Sequence, residues 1–151
     1  MNAKEQGEES VKIVIGELAK YHIGCAILLT DNEPYDFIVI YKGRLLKAQV
    51  KSSSIEGGQK EVVSNSVKFK CCTSNWHKRT VKKYKPGDYE VMFFVDMRDY
   101  SIYLVEAEKT FGIRTFTIRT SPSKNGQIQA CNMKEDYLLS QDRIEAVFDK
   151  I

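Results

Sequence analysis

The chain has 151 residues, enough for one hydrophobic core, and we expect a single domain over residues 1–151. Its hydrophobic content of 42% and charged content of 28% are typical of a soluble globular protein. No apolar run has the length of a membrane span and no secretory signal opens the chain, so we expect a cytoplasmic protein without membrane contact. The four cysteines lack a zinc-ribbon spacing and are expected to be reduced thiols.

Charge is distributed unevenly along the chain. The net charge is only +3, yet residues 42–85 hold twelve basic residues and two acids, whereas residues 1–36 hold three basic residues and seven acids. A concentrated basic segment in a nearly neutral protein favours a polyanionic partner. The alternative is a solvated basic face with no partner.

The first predicted element is an amphipathic helix over residues 5–21. Val11, Val14 and Leu18 recur at helical spacing and predict one buried stripe. Glu8 lies three residues before Val11, so we expect it on the first turn of that stripe, where an acid is unusual. Glu9 points further round the helix. The alternative for both acids is a carboxylate placed near a helix N-terminus, where the helix dipole stabilises it.

A β-hairpin is predicted after a short strand over residues 25–30. Residues 35–41 form an apolar, β-branched run, Lys42-Gly43 supplies a two-residue turn, and residues 44–51 return. With this turn Tyr41 pairs with Arg44, which places Asp36 directly across from Gln49. Because side chains alternate along a strand, Lys51 shares a face with Gln49.

This grouping suits phosphodiester hydrolysis. Mg²⁺ prefers oxygen ligands and takes few carboxylates from the protein; Asp36 offers a carboxylate, Gln49 an amide oxygen and Val50 its main-chain carbonyl. Lys51 can orient or deprotonate a water and offset charge on the phosphate. The alternative is an ordinary ion pair between Asp36 and Lys51 at the rim of a sheet, with Gln49 a surface residue.

The motif Pro34-Tyr35-Asp36 followed by Gln49-Val50-Lys51 resembles the PD-(D/E)XK nuclease signature, although Gln49 stands where an acid is usual. The resemblance implies an α/β fold with a restriction-endonuclease-like core, a mixed central β-sheet flanked by helices, and Mg²⁺ or Mn²⁺ as cofactor. It implies metal binding by Asp36, Gln49 and Val50 and catalysis by Asp36, Gln49 and Lys51. First-helix glutamates often reach the metal in this family, so Glu8 becomes the further acid and Glu9 the second choice.

The basic segment that follows is expected to contact double-stranded DNA. A polar loop leads from Ser52 to a strand over residues 61–71, and residues 73–84 mix cations with aromatics. We predict that Trp76 lies in the core rather than acting as a stacking platform. The expected contact residues are Ser52, Ser53, Lys60, Lys68, Lys70, Lys78, Arg79 and Lys82.

The remaining elements complete an α/β order. Residues 89–95 form an apolar strand, residues 100–105 return, a short helix is expected over residues 107–111, and residues 142–150 form a closing helix. Near the C-terminus, residues 113–119 and 127–131 flank an Asn-Gly turn signal and predict an additional β-hairpin. Such a ribbon can read base edges in a major groove, unless its polar residues only face solvent. Its candidate DNA contacts are Arg114, Arg119, Lys124, Gln127 and Gln129.

The whole chain resembles the bacterial homing endonucleases that group I introns encode and that have a PD-(D/E)XK core. This resemblance implies a bacterial, homotetrameric enzyme that cuts both strands of one long site in an intronless tRNA gene. With one active site per chain, a double-strand cut requires at least a dimer. The alternatives are a structure-specific nuclease of the Holliday-junction-resolvase type and a catalytically inactive DNA-binding module of the same fold.

Overall fold

The computed structural model describes residues 1–53, 65–126 and 129–151. The strands of the central sheet are β1 (Gly24–Ile27), β2 (Phe37–Tyr41), β3 (Arg44–Ser52), β7 (Val91–Asp96) and β8 (Ser101–Glu106). Their order in the sheet is β1-β2-β3-β7-β8; β3 and β7 run parallel, and the other neighbours run antiparallel. The helices are α1 (Ala3–Lys20), α2 (Lys134–Tyr137) and α3 (Gln141–Phe148), with a 3₁₀ turn at Ala107–Lys109.

The β2–β3 hairpin has the predicted register. Lys42 and Gly43 both have positive φ, 48° and 75°, as a two-residue turn with the twist of a hairpin requires. Tyr41 pairs with Arg44 and Phe37 with Ala48. Asp36 directly precedes β2 and therefore faces Gln49, as predicted. The register carries these two side chains to the open end of the hairpin.

The two faces of the sheet bury different clusters. One face packs against α1 and α3 through Val14, Leu18 and Phe148, together with the β3 side chains Ala48 and Val50. The other face of β7 and β8 buries Met92, Phe94 and Tyr103 beneath a separate layer of strands. That layer does not cover all of β2 and β3, since the paired Ile40 and Leu45 are 41% and 67% exposed. The second face of β3 therefore lies at the border between a buried layer and solvent.

Two small antiparallel ribbons build that second layer. In the first, β4 (Ser66–Lys70) pairs with β9 (Thr115–Arg119) and buries Val67, Phe69, Phe116 and Ile118. In the second, β5 (Cys72–Asn75) and β6 (Thr80–Lys83) form a hairpin whose second strand is exposed along its whole length.

The structure corrects the partner predicted for residues 113–119. β9 pairs with β4, from a distant part of the chain, and the Arg119 N–H at its end donates to the Asn132 carbonyl at 2.7 Å. Of the predicted return strand, residues 127 and 128 lie outside the described residues, while residues 129 and 130 form a turn. The apolar faces of β4 and β9 close over the sheet, and this burial outweighs the local Asn-Gly turn signal.

Trp76 is the second correction. It lies in the turn between β5 and β6 and is 89% exposed, so the prediction that it belongs to the core is wrong. The remaining boundaries agree with the predicted elements to within a few residues, and the first part of the predicted 61–71 strand lies outside the described residues. Among the helices that the structure describes, none has the length and hydropathy needed to span a membrane.

Glu106, at the end of β8, adds a polar anchor for helix α3 to its apolar contacts with the sheet. Arg143 Nη2 lies 2.7 Å from Glu106 Oε2, Lys109 Nζ lies 3.2 Å from the same oxygen, and Arg143 Nε donates to the Leu104 carbonyl. Burial raises the pKa of Glu106, but the hydrogen bonds from Arg143 and Lys109 outweigh it and hold that pKa below its ordinary value.

We expect Glu106→Gln to lower the free energy of unfolding at pH 7 by about 1–2 kcal/mol, because the charge-assisted bonds to Arg143 and Lys109 are lost. A lowered folded-state pKa stabilises the protein fully above the ordinary glutamate pKa of about 4.3, and this contribution is lost as the pH falls through the folded value. In urea unfolding, the difference between the variant and the wild type should therefore be smaller at pH 3 than at pH 7. An equal difference at both pH values would contradict the ion-pair account.

Candidate active site

Asp36 is held at the open end of the β2–β3 hairpin by two main-chain contacts. Its N–H donates to the Ala48 carbonyl at 2.8 Å, and its Oδ2 accepts the Val50 N–H at 2.7 Å. Burial raises the pKa of this carboxyl group, and the Val50 N–H and the charge of Lys51 oppose the rise. The carboxylate is therefore fixed in place and partly desolvated. Among the residues that the structure describes, its Oδ1 makes no hydrogen bond and is left for a further ligand.

Lys51 projects from the same end of β3, two residues beyond Gln49. Burial lowers the pKa of its amine, while the negative charge of Asp36 acts in the opposite direction. Its Nζ lies 5.4 Å from the centre of the Tyr84 ring, in a cation–π contact. An amine in this setting carries a charge that is weakly hydrated and available to an incoming anion.

Gln49 and Val50 complete the predicted donors on β3. Gln49 is buried, and its Nε2 donates to the Val50 carbonyl at 3.2 Å. The amide nitrogen of Gln49 therefore faces the Val50 carbonyl. Rotating the amide group by 180° would bring the amide oxygen to the position of the nitrogen. The structure brings both predicted donors together beside Asp36.

The N-terminal turns of α1 approach the same end of β3. Gln6 Nε2 donates to Ser52 Oγ at 3.0 Å and to the Ser53 carbonyl at 2.7 Å. Glu9 follows one turn later, and its Oε2 is buried without a hydrogen-bond partner among the residues that the structure describes. Since α1 packs on β3, a step of three helical residues, about 4.5 Å, places Glu9 near the level of Val50 and Lys51.

Glu8 is exposed, so the expectation that it lies on the buried stripe is wrong. Successive helix residues differ by about 100° around the axis, and the packed side of α1 is set by Gln6, Ser10 and Val14 instead. Glu9, the second choice from sequence, is the acid that points inward. The buried Glu9 Oε2, which lacks a hydrogen-bond partner among the described residues, is the feature expected of a carboxylate that binds a cation.

These donors suit a hard divalent cation. Asp36 and Glu9 offer carboxylates, and the Gln49 amide and the Val50 carbonyl offer neutral oxygens, which is the ligand chemistry of Mg²⁺. Within residues 1–53, 65–126 and 129–151, no three His, Cys, Asp or Glu side chains cluster as a metal site. A cation held here would therefore depend on amide and main-chain oxygens as well as on acids.

The Tyr84 ring borders the site, and two thiols lie within electrostatic range of Lys51; the sequence analysis assigned none of the three to the site. Tyr84 and the adjacent Cys71 and Cys72 are buried. Burial raises the pKa of Cys71 to about 12, so the thiol stays protonated and serves as an apolar wall. Their positions result from the packing of the second layer on β7, which no sequence motif marks.

The predicted DNA contacts fall into three groups. Lys60 and Gln127 lie outside the described residues. Ser53 is buried, and its Oγ accepts the Met97 N–H at 2.9 Å, so its predicted contact with a DNA backbone is wrong. Ser52 and Arg119 are half-buried. The exposed members are Lys68, Lys70, Lys78, Arg79, Lys82, Arg114, Lys124 and Gln129.

A basic groove separates the two ribbons of the second layer. Lys68, Lys70 and Arg114 line it together with Ser74 and Val81, around a cavity of about 440 Å³. Lys70 Nζ donates to Ser74 Oγ across it. Cys72 also lines the groove, and its thiol lies within electrostatic range of the Lys51 amine.

Comparison with known proteins identifies the family and the fold. The family model described as PD-(D/E)XK endonuclease matches residues 1–140. A solved structure of a bacterial homing endonuclease, I-Ssp6803I, superposes with a TM-score of 0.76 over 99% of this chain and 95% of that one, at 18% sequence identity, so the two proteins share the restriction-endonuclease-like fold. No curated protein matches the sequence. With the family model covering most of its length, the chain belongs to the PD-(D/E)XK endonucleases.

Proposed function

We propose that this nuclease is a sequence-specific, divalent-metal-dependent endonuclease that cuts both strands of duplex DNA. The desolvated pair of Asp36 and Lys51 beside Gln49 is the observation that carries the proposal, because it combines a cation ligand with a weakly hydrated amine. The likeness to a bacterial homing endonuclease supports the homing type. An origin in a group I intron and an intronless tRNA gene as the target are further parts of the proposal.

Each side chain has a role in this proposal. Asp36, Glu9, the Gln49 amide oxygen and the Val50 carbonyl hold Mg²⁺ or Mn²⁺, which when bound offsets charge on the scissile phosphate and activates the attacking water. Lys51 orients that water through its amine and stabilises the negative charge that develops on the phosphate oxygens. Asp36 Oδ2 stays on the Val50 N–H, so the main chain fixes the direction of Oδ1.

DNA reaches the site along the basic groove. Lys68, Lys70 and Arg114 supply positive charge along its walls, and the apolar border of Tyr84 and the two thiols limits access of water to Lys51. Contacts from these cations to phosphates position the duplex without reading its sequence.

An oligomer follows from the stoichiometry of the reaction. One chain holds one Asp36–Lys51 site, so cutting two strands together requires at least two copies. The exposed, cross-strand pair Ile40 and Leu45 on the uncovered face of the sheet supplies apolar surface for such a contact. We propose a homo-oligomer of at least two copies, and a homotetramer as its assembled form.

Cleavage of defined substrates tests the proposal. Purified protein would be incubated with Mg²⁺, with Mn²⁺ or with EDTA, on a plasmid that carries an intronless tRNA gene and on a synthetic four-way junction. We expect a single double-strand cut in the plasmid that EDTA abolishes. Cutting of the junction alone would replace this function with that of a resolvase. Binding without any metal-dependent cut would favour an inactive module, which the neutral Gln49 makes the second candidate.

Tyr84 offers a separate prediction about the environment of Lys51. Tyr84→Leu removes the ring that faces Nζ and is expected to lower the cleavage rate about 5- to 30-fold, since a desolvated cation–π contact contributes about 1–2 kcal/mol. Tyr84→Phe keeps the ring and should retain most of the rate. Single-turnover rates at saturating DNA measure both variants. Equal losses in the two would assign the effect to the hydroxyl group rather than to the ring.

A further inference from the structure

The β5–β6 hairpin carries an exposed indole at its tip. Trp76 is 89% exposed, and β6, the strand that leads away from the tip, is exposed throughout. The hairpin starts at the pair Cys72–Lys83, next to Tyr84, whose ring centre lies 5.4 Å from Lys51 Nζ. The indole therefore stands at the end of an arm whose base lies at the active site.

The tip has a defined conformation. Asn75 Oδ1 accepts the Lys78 N–H at 3.0 Å, the Trp76 carbonyl accepts the Arg79 N–H at 3.4 Å, and Arg79 has a φ of 48°. Residues 76–79 thus form a closed turn stabilised by an asparagine side chain. An aromatic group presented on such a turn loses little conformational freedom when it meets a partner.

The charge around this tip identifies the class of partner. Residues 65–85 contain seven basic residues and no acid, and none of the seven makes an ion pair within the described parts of the chain. Cations without acidic partners, interleaved with an exposed aromatic ring, are the surface chemistry of a nucleic-acid contact. The basic groove that these residues share with Arg114 continues the same surface.

We propose that the β5–β6 hairpin is a DNA-contacting arm in which the Trp76 indole packs against bases while Lys78, Arg79 and Lys82 bind the flanking phosphates. The inference rests on the proposed function for its substrate, duplex DNA. Four residue pairs and the turn give the arm a length of about 13 Å, and bases are spaced by about 3.4 Å. The arm reaches a position up to about four base pairs from the scissile phosphate.

Trp76 is the only tryptophan in the chain, so intrinsic fluorescence reports on this position alone. A fluorescein-labelled duplex of about 30 base pairs would be titrated at low salt in EDTA, with anisotropy of the label measuring binding. We expect binding to quench the tryptophan emission and to protect the indole from acrylamide. Bound duplex with unchanged emission and unchanged acrylamide access would overturn the inference.

Two variants sharpen the test. Trp76→Ala should weaken duplex binding about 5-fold, the lower end of the loss seen for aromatic–base stacking on single strands, because bases in a duplex are already stacked on one another. Trp76→Phe should recover most of the affinity. Because the side chain is exposed, both variants should keep the wild-type circular dichroism and melting temperature. Wild-type affinity in Trp76→Ala would overturn the inference.

A cleavage assay and a titration with lipid vesicles separate this inference from the proposed function. Quenching by duplex DNA in a protein that never cuts with Mg²⁺ would retain the arm and reject the endonuclease assignment. Quenching by anionic phosphatidylserine vesicles, with no quenching by duplex DNA, would reject the arm as a DNA contact. Metal-dependent cutting with no change at Trp76 would keep the endonuclease assignment and reject the arm.

Discussion

Replacing Lys51 with alanine is expected to lower the cleavage rate by about 10²- to 10⁴-fold while leaving duplex binding in EDTA within about threefold of the wild type. The variant removes the group that orients the water and offsets charge on the phosphate, and losses of this size are usual for such groups. The buried setting of the amine means that no exposed cation nearby can replace it. Single-turnover cleavage with Mg²⁺ and anisotropy binding with labelled duplex measure the two effects separately.

Lys47→Ala is the matched control for this variant. Lys47 lies on the same strand and the same face, about 13 Å from Lys51, and its Nζ donates to the Gly87 carbonyl rather than facing Asp36. It should keep the cleavage rate within about threefold. Equal losses of cleavage rate in Lys47→Ala and Lys51→Ala would show that the loss results from the lower positive charge of the strand and not from a role of Lys51 in the site.

Replacing Glu9 with glutamine is expected to have opposite effects on stability and on metal binding. In metal-free protein the buried carboxylate oxygen has no hydrogen-bond partner among the described residues, and a neutral amide removes the penalty of a buried charge. The free energy of unfolding should therefore rise by about 1 kcal/mol in EDTA. Metal affinity should fall at least about tenfold, since a carboxylate ligand is lost.

Thermal unfolding with and without Mg²⁺ measures both changes in one experiment. A bound cation stabilises the folded state by an amount that depends on the ratio of its concentration to Kd, so Mg²⁺ should raise Tm in the wild type and much less in Glu9→Gln. Glu8→Gln is the control: it replaces the exposed neighbour and should behave as the wild type in both conditions. A larger metal effect of Glu8→Gln than of Glu9→Gln would return the assignment to Glu8.

The part of the site that sequence reasoning predicted is the part fixed by short-range rules. The Lys42-Gly43 turn sets the register of a hairpin, and the register alone brings Asp36 opposite Gln49 and places Lys51 on the same face. Those rules act over a few residues, so one sequence suffices to apply them.

The misplaced residues depend on distant parts of the chain. Whether Glu8 or Glu9 points inward depends on which side of α1 packs on β3, and the contact of Gln6 with Ser52 and Ser53 bridges more than forty residues. The large apolar side chain of Trp76 favoured a core position, but the residue lies at the tip of a hairpin, where its side chain is exposed to solvent. The positions of all these side chains depend on long-range packing, which cannot be predicted from the spacing of residues in the sequence.

The parallel pairing of β3 with β7 has a consequence for the order in which the enzyme acquires its active site. Ala48 pairs with Val91, 43 residues away, and closing a loop of that length costs about 2 kcal/mol more than closing one of five residues. The β2–β3 hairpin, by contrast, closes through two residues and can form within microseconds. We therefore expect the Asp36–Gln49 half of the site to be assembled early in folding. The contact between the Tyr84 ring and Lys51 would form only with the slower, non-local pairing of β3 and β7. A partly folded chain would therefore lack nuclease activity.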